Sequence, residues 1–258
     1  MSFYRFITAS DLNPTYCGFI PTWISHHKKL FPNSDIYVIL VSDTLPENLE
    51  RYKDNILLFK PLPDMHTSYQ AQLVRMVYGA LLSEKQNIIC DMDMYILSNK
   101  ILKLFDKVPN MESRFVNFGC LSMSECQREK QLPLFFSIYS NKVINEIFEV
   151  KNLKDIHNYL IKYYKKMDNE RGYNWFTDQL ILYEKFINYT HLYKIERRGG
   201  DRLDRDWFNP DSNQVAEKVN THQLVDFHAP RPYNKYEKFI ERVLSYVDFS
   251  SPPKGSST

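Results

Sequence analysis

Glycine is scarce in this chain, 7 among 258 residues, and none lies between Ala9 and Asn13. A Gly-rich loop cradling phosphates straight after a first strand is therefore absent. Cysteine is scarce too. Cys17, Cys90, Cys120 and Cys126 are scattered, with no CxxC pair and no metal-ligand spacing, so free thiols in a reducing compartment are expected. No apolar run approaches the roughly 20 residues of a membrane-spanning helix. The first thirty residues show no charged segment followed by an apolar one, which speaks against a signal peptide, and the chain reads as cytoplasmic. An excess of one charge is also missing. Lys and Arg number 33 against 31 Asp and Glu, a net +2 without a basic block, so nucleic acid is not an expected partner.

What is present is a large apolar fraction, 43%, rich in Tyr (18) and Phe (17), enough to bury the core of one α/β domain. Arg5–Ser10 reads as a first strand. Pro14–Leu30 has helical spacing in Cys17, Ile20, Ile24 and Leu30, with Pro14 suited to the first turn. Ile36–Val41 is a continuous β-branched run, as in a strand covered on both faces, and Ile56–Phe59 is another strand. Ser68 is the expected cap of a helix running to Leu82. Asn87–Cys90 is the next buried strand. Strands alternating with helices predict a mainly parallel sheet with crossover helices, binding ligands beyond the carboxyl ends of its strands. Ser10 and Asp91 fall at two such ends. Beyond them, Phe115–Met123 and Gln223–Phe227 read as strands. Leu153–Lys166, Phe176–Ile187 and Tyr236–Val247 read as helices. The Ser/Pro/Gly-rich tail 250–258 is expected to be disordered.

Asp91-Met92-Asp93 carries the most chemistry. Carboxylates at i and i+2 of extended backbone converge on one side. A divalent cation relieves their repulsion, and could bridge the phosphates of a nucleotide-diphospho-sugar and stabilise a departing UDP or GDP. A turn with two solvated acids is the plainer alternative. The DxDx[TV] motif of haloacid-dehalogenase-type phosphatases fits poorly, because Tyr95 stands fifth and the motif comes late. His228 closes a short apolar stretch ahead of Pro230-Arg231-Pro232. An imidazole beside two carboxylates makes a mixed N/O site that suits Mn²⁺ better than the all-oxygen sites of Mg²⁺ and Ca²⁺, and Arg231 could clamp a diphosphate. In Trp175-Phe176-Thr177-Asp178-Gln179, Thr177 or Asp178 is expected to cap a helix. Gln179 and the aromatic pair could line a sugar site. Glu196–Asp206 alternates charge around Gly199-Gly200, either a solvated loop or a lid over a diphosphate.

Six pieces in order make a resemblance. They are Ala9-Ser10-Asp11-Leu12-Asn13; Arg75; Asp91–Asp93 with Tyr95-Ile96-Leu97; Asn117–Leu121; Thr177–Leu182; and His228 with Arg231-Pro232-Tyr233. Together, over residues 3 to about 233, they resemble the retaining GT-A glycosyltransferases of family 8, the glycogenin and bacterial galactosyltransferase group. The last motif departs from the family's, which is longer, with a Gly between the His and a Lys-Pro-Trp. The resemblance implies one α/β domain of GT-A fold, with a Rossmann-like, mainly parallel central sheet flanked by helices. Residues 1–95 would form its nucleotide-binding half and 96–249 its acceptor half. It implies a metal-dependent transfer of sugar from a nucleotide-sugar donor, UDP-sugar favoured, to a glycan acceptor. Ala9, Asp11, Asn13, Arg75, Asp91, Met92, Asn117 and Arg231 would bind the donor. Asp91, Asp93 and His228 would hold Mn²⁺ or Mg²⁺, and Asp178 and Gln179 would flank the reacting carbon. Retention and inversion both remain open, Asp178 being the candidate base if configuration inverts.

Overall fold

Phe6 and Ile7 are neighbours in the chain and face opposite cores, which explains why the first strands are apolar at nearly every position. A computed structural model describes residues 4–119, 121–170, 176–196, 200–205 and 212–247. Cys120, Trp175, Gly199, Asp206 and the tail 250–258, all considered above, lie outside these.

The first half alternates as expected: β1 (Tyr4–Asp11), α1 (Pro14–Cys17), α2 (Ile20–Leu30), β2 (Asp35–Val41), β3 (Ile56–Phe59), α3 (Thr67–Val77) and β4 (Gln86–Cys90). The second half is denser in short elements: β5 (Met94–Ile96), α4 (Lys100–Phe105), β6 (Phe115–Gly119), α5 (Met123–Glu129), β7 (Phe136–Ser140), α6 (Asn141–Phe148), α7 (Leu153–Glu170), α8 (Thr177–Phe186), β8 (Leu192–Glu196), β9 (Arg202–Leu203), α9 (Ser212–Asn220), β10 (Asp226–His228) and α10 (Tyr233–Ser245). Seven strands form one sheet in the order β3-β2-β1-β4-β7-β6-β8. Only β7 runs against its neighbours. A second sheet, β5-β10-β9, stands beside it.

Alternation along each strand fills two cores. Phe6, Val38, Leu40, Ile88 and Cys90 pack with Trp23 and Ile24 of α2 and with α4, α9 and α10. Ile7, Ala9, Ile39, Val41 and Ile89 pack with α3, α6, α7 and α8. The small sheet is no separate body, since Tyr95, Leu203 and Phe227 belong to the first of these cores. The expected α/β architecture, a mainly parallel sheet with helices on both faces, is what the chain adopts. Among the described residues no helix is long and apolar enough to cross a membrane, and Cys17 and Cys90 are free thiols.

Several boundaries differ from the sequence reading. The expected helix Pro14–Leu30 is two helices, broken at Gly18-Phe19. Pro21 lacks an N–H and its ring would clash with the carbonyl of Cys17, so it belongs in the first turn of a new helix. Ser68 is not a cap: α3 begins one residue earlier, behind His66, and tightens to a 3₁₀ turn over Tyr78–Leu81. The strand drawn to Met123 stops at Gly119, because Ser122 and Glu125 form a capping box that starts α5. The late strand is Asp226–His228, shifted toward the histidine.

Candidate active site

Parallel β1 and β4 end side by side, and the chain leaving β4 turns through Asp91-Met92-Asp93 into β5, with Met94 N–H donating to the Asp91 carbonyl at 3.2 Å. Met92 is packed against the first core, between Asp91 and Asp93. The two acids line a cleft of about 740 Å³. Ala9, Asp11, Asn13, Arg75, Asp91, Met92, Asp93, Asp178, Gln179, His228 and Arg231 all line it.

Asn117 does not. It is fully buried, its amide nitrogen donating to Pro133 O at 2.8 Å and Ser137 Oγ at 3.2 Å while its oxygen accepts from Lys194 Nζ at 3.1 Å. With every amide hydrogen and its oxygen engaged, it supports the cleft wall at Pro133 rather than facing a sugar. Asp11 accepts from Thr67 Oγ1 at 2.8 Å and from Asn13 N–H at 3.1 Å, and Asn13 caps α1 through Thr15 N–H at 2.9 Å.

Arg75 is the hub of one wall. It is buried on α3, where one Nη meets Asp91 Oδ1 and the Cys90 carbonyl and the other meets Asp178 Oδ2. Burial alone would lower the guanidinium pKa, but the two carboxylates outweigh it and the net shift is upward. Burial raises the Asp91 carboxyl, Arg75 draws it down, and Asp93 and Asp178 raise it again, for a net upward shift. The expected cap at Thr177 or Asp178 is not made: Phe176 holds the N-cap position with no side-chain hydrogen bond. Asp178 Oδ1 instead accepts from Gln179 N–H at 2.8 Å, and its other oxygen serves Arg75.

The opposite wall is assembled around Asp93. Its Oδ2 is buried and makes no hydrogen bond, yet Arg231 Nε stands at 3.3 Å, His228 Nε2 at 3.4 Å and Arg205 Nη1 at 3.6 Å. Arg205 Nη1 is buried without a hydrogen bond as well. Arg231 also donates to Tyr16 Oη and lies 5.3 Å from that ring's centroid. His228 Nδ1 sits 3.3 Å from Asp204 Oδ1. Burial pulls the imidazole pKa down, but Asp204 and Asp93 overcome it and push it up to about 9. In return His228 holds the Asp204 carboxyl below its usual range.

Among the described residues no three His, Cys, Asp or Glu side chains stand together as a ligand set. Asp91, expected as a third ligand, turns Oδ1 to Arg75. Asp93 and His228 do suit a divalent cation, because a buried carboxylate oxygen without a hydrogen bond stands beside an imidazole nitrogen that can shed its proton. Sequence reasoning did not single out Tyr16, Gln72, Phe135, Arg202, Asp204 or Arg205 as cleft residues. The last three belong to the alternating-charge segment. Of the two readings of that segment, solvated loop or lid over a diphosphate, the first does not hold for Arg202–Leu203, which is strand, with Arg202 paired to fully buried Asp226 at 2.9 Å. Gly200, at φ +90°, allows the turn that leads into it.

No family model matches the chain, and no curated protein does. Solved structures do. An active-site mutant of LgtC matches at 11% identity over 97% of this chain and 98% of its own, with a TM-score of 0.53. GlyE of Streptococcus pneumoniae TIGR4, a glycosyltransferase, matches at 13% identity over 95% of this chain and 61% of its own, TM-score 0.54. WbbM, a bifunctional glycosyltransferase, matches at 13% identity over 94% of this chain and 50% of its own, TM-score 0.51. Likeness at such identity is likeness of fold: the chain has the GT-A fold of glycosyltransferases.

Proposed function

We propose that this chain is a metal-dependent glycosyltransferase that moves a sugar from a nucleotide-diphospho-sugar, UDP-sugar favoured, to a glycan or sugar acceptor. The observation that carries the reading is the cationic ring around Asp93. Three positive groups and one unsatisfied carboxylate converge in a single cleft at the carboxyl ends of β1 and β4, which is where an anionic donor binds in sheets of this kind.

Ala9, Asp11 and Asn13, at the end of β1, would hold the base and ribose. Asp93 and His228 would hold Mn²⁺ or Mg²⁺, with Asp91 available only as far as Arg75 releases it. When bound, that cation supplies charge neutralisation for the diphosphate. Arg231 and Arg205 would grip the diphosphate oxygens and stabilise the charge left on them as the sugar departs. Asp178 and Gln179 would flank the anomeric carbon. The Arg75 pair takes up one Asp178 oxygen, which disfavours a general-base role and favours retention. Residues 1–95 would contribute the base-binding half and 96–249 the acceptor half. The diphosphate contacts nonetheless come from beyond residue 95 through Arg205, His228 and Arg231. A cytoplasmic location accords with the free thiols of Cys17 and Cys90.

The test is thermal unfolding with UDP, GDP and Mn²⁺ added singly and together. A ligand that binds only the folded chain raises the melting temperature, and UDP with Mn²⁺ is expected to raise it more than either alone. No shift with any nucleotide diphosphate, in EDTA or Mn²⁺, sinks the reading.

A further inference from the structure

Both ring nitrogens of His228 face carboxylates, Nε2 toward Asp93 Oδ2 at 3.4 Å and Nδ1 toward Asp204 Oδ1 at 3.3 Å. A neutral imidazole has one N–H and one lone pair, and a carboxylate can only accept. Once a cation takes the lone pair of one nitrogen, the remaining proton must sit on the other. Asp93 is buried in the cleft, whereas the Asp204 side chain is 38% exposed at its edge, so Nε2 is the nitrogen on the cation's side.

We propose that Asp204 is a positioning residue for the metal site: it accepts from Nδ1–H of His228 and so keeps the Nε2 lone pair turned toward Asp93. The inference rests on the metal-dependent reading above. Its local support is the β9–β10 ladder, which runs parallel with Arg202 opposite Asp226 and Leu203 opposite Phe227. One residue further along the same register sets Asp204 beside His228. The register is pinned by Arg202, whose Nε and Nη2 reach the two oxygens of fully buried Asp226 at 2.9 and 3.2 Å. A one-residue slip would break that bidentate pair and turn Asp204 to the opposite face. Carboxylates bonded to the second nitrogen of a ligating histidine fix its tautomer and orientation, and here the carboxylate comes from the residue that follows a two-residue strand.

The experiment measures Mn²⁺ binding to the full chain by the paramagnetic resonance signal of free Mn²⁺, for the parent, Asp204→Asn, Asp204→Glu and His228→Gln. Asp204→Asn can present an amide N–H to Nδ1 and favour the wrong tautomer. Its Mn²⁺ affinity is expected to fall by about 10- to 100-fold, with the chain still folded by circular dichroism. Asp204→Glu restores part of the loss, which a purely structural role for the position does not predict. If Asp204→Asn does not fold, Asp204→Ser takes its place in every comparison. Parental Mn²⁺ affinity in the Asp204 variants, alongside a loss in His228→Gln, overturns the positioning role and leaves the metal reading standing. A parent that binds no Mn²⁺, or a His228→Gln that binds it like the parent, overturns the metal reading itself and this inference with it.

Discussion

Around Arg75 the cleft is closed, and around Asp93 it is open. Arg75 meets two carboxylates and a carbonyl at hydrogen-bonding distance and leaves its Nε without a hydrogen bond, so both of its terminal nitrogens are answered within the chain. Asp93 is approached by three cations at 3.3 to 3.6 Å, and neither its Oδ2 nor Arg205 Nη1 completes a hydrogen bond. Buried polar groups are ordinarily satisfied. The first wall is therefore framework that holds Asp178 in place, and on the proposed reading the second is where bound phosphate would accept the free N–H and a cation would coordinate the free carboxylate oxygen.

The sharpest way to break this contrast is Arg75→Met. It strands Asp178 as a buried carboxylate without its partner and is expected to destabilise the fold by about 3–5 kcal/mol. Arg75→Met combined with Asp178→Leu should recover part of that, as denaturant unfolding would show. If Arg75→Met unfolds like the parent, the wall is not framework.

Acidity separates two histidine environments next. His26 is fully buried, with Nε2–H donating to Ile96 O at 2.6 Å, and burial lowers its pKa to about 4. Between about pH 6.5 and 4 the unfolded chain binds the extra proton, so stability falls as pH falls through that window, by at most about 3 kcal/mol. His228 has the opposite sign. In metal-free protein its raised pKa of about 9 makes its contribution complete below about pH 6.5 and lost as pH rises through about 9. His228→Gln should flatten the alkaline arm and leave the acid arm intact. Added Mn²⁺ should oppose the alkaline loss, because ligation requires the neutral ring. Melting temperatures across pH 4–10, with EDTA or Mn²⁺, decide both arms.

Asp178→Asn tests framework against chemistry within one residue. Asn keeps the side chain's shape but answers Arg75 less well, so a modest loss of stability is expected. A loss of sugar transfer of about 100-fold or more, some 2.7 kcal/mol in barrier, marks a place beside the reacting carbon. Gln179→Ala should lose less. Near-parental turnover in Asp178→Asn would confine Asp178 to holding Arg75.

The smallest expected effect is on binding. Asp93→Asn should remove the Mn²⁺-dependent gain in UDP affinity, about tenfold or 1.4 kcal/mol, while affinity in EDTA stays the same because Arg231 and Arg205 remain. Calorimetry with UDP reads both, and an undiminished Mn²⁺ gain would place the metal elsewhere.

The parallel strands were legible because covering a strand on both faces demands apolar residues at consecutive positions, as in Ile36–Val41. The acid pair was legible because it interrupts such a strand at its end. Asp204 and Arg205 were only half legible: the two-residue strand before them has no periodicity to read, and their segment reads either as solvent-facing loop or as a lid. The sequence by itself determined the α/β layering and put Ser10 and Asp91 at the ends of strands, since both follow from local hydrophobic pattern. Only the tertiary structure decided that Asp178 is a partner of Arg75 rather than a cap, that Asn117 supports the wall from behind, and that Asp91 and Asp93 do different work. The reason is that a carboxylate's role is set by which charges lie within a few ångströms of it. Those charges come from α3, from α8 and from the β9–β10 edge, segments far apart in the chain and joined only when the sheet closes them around one cleft.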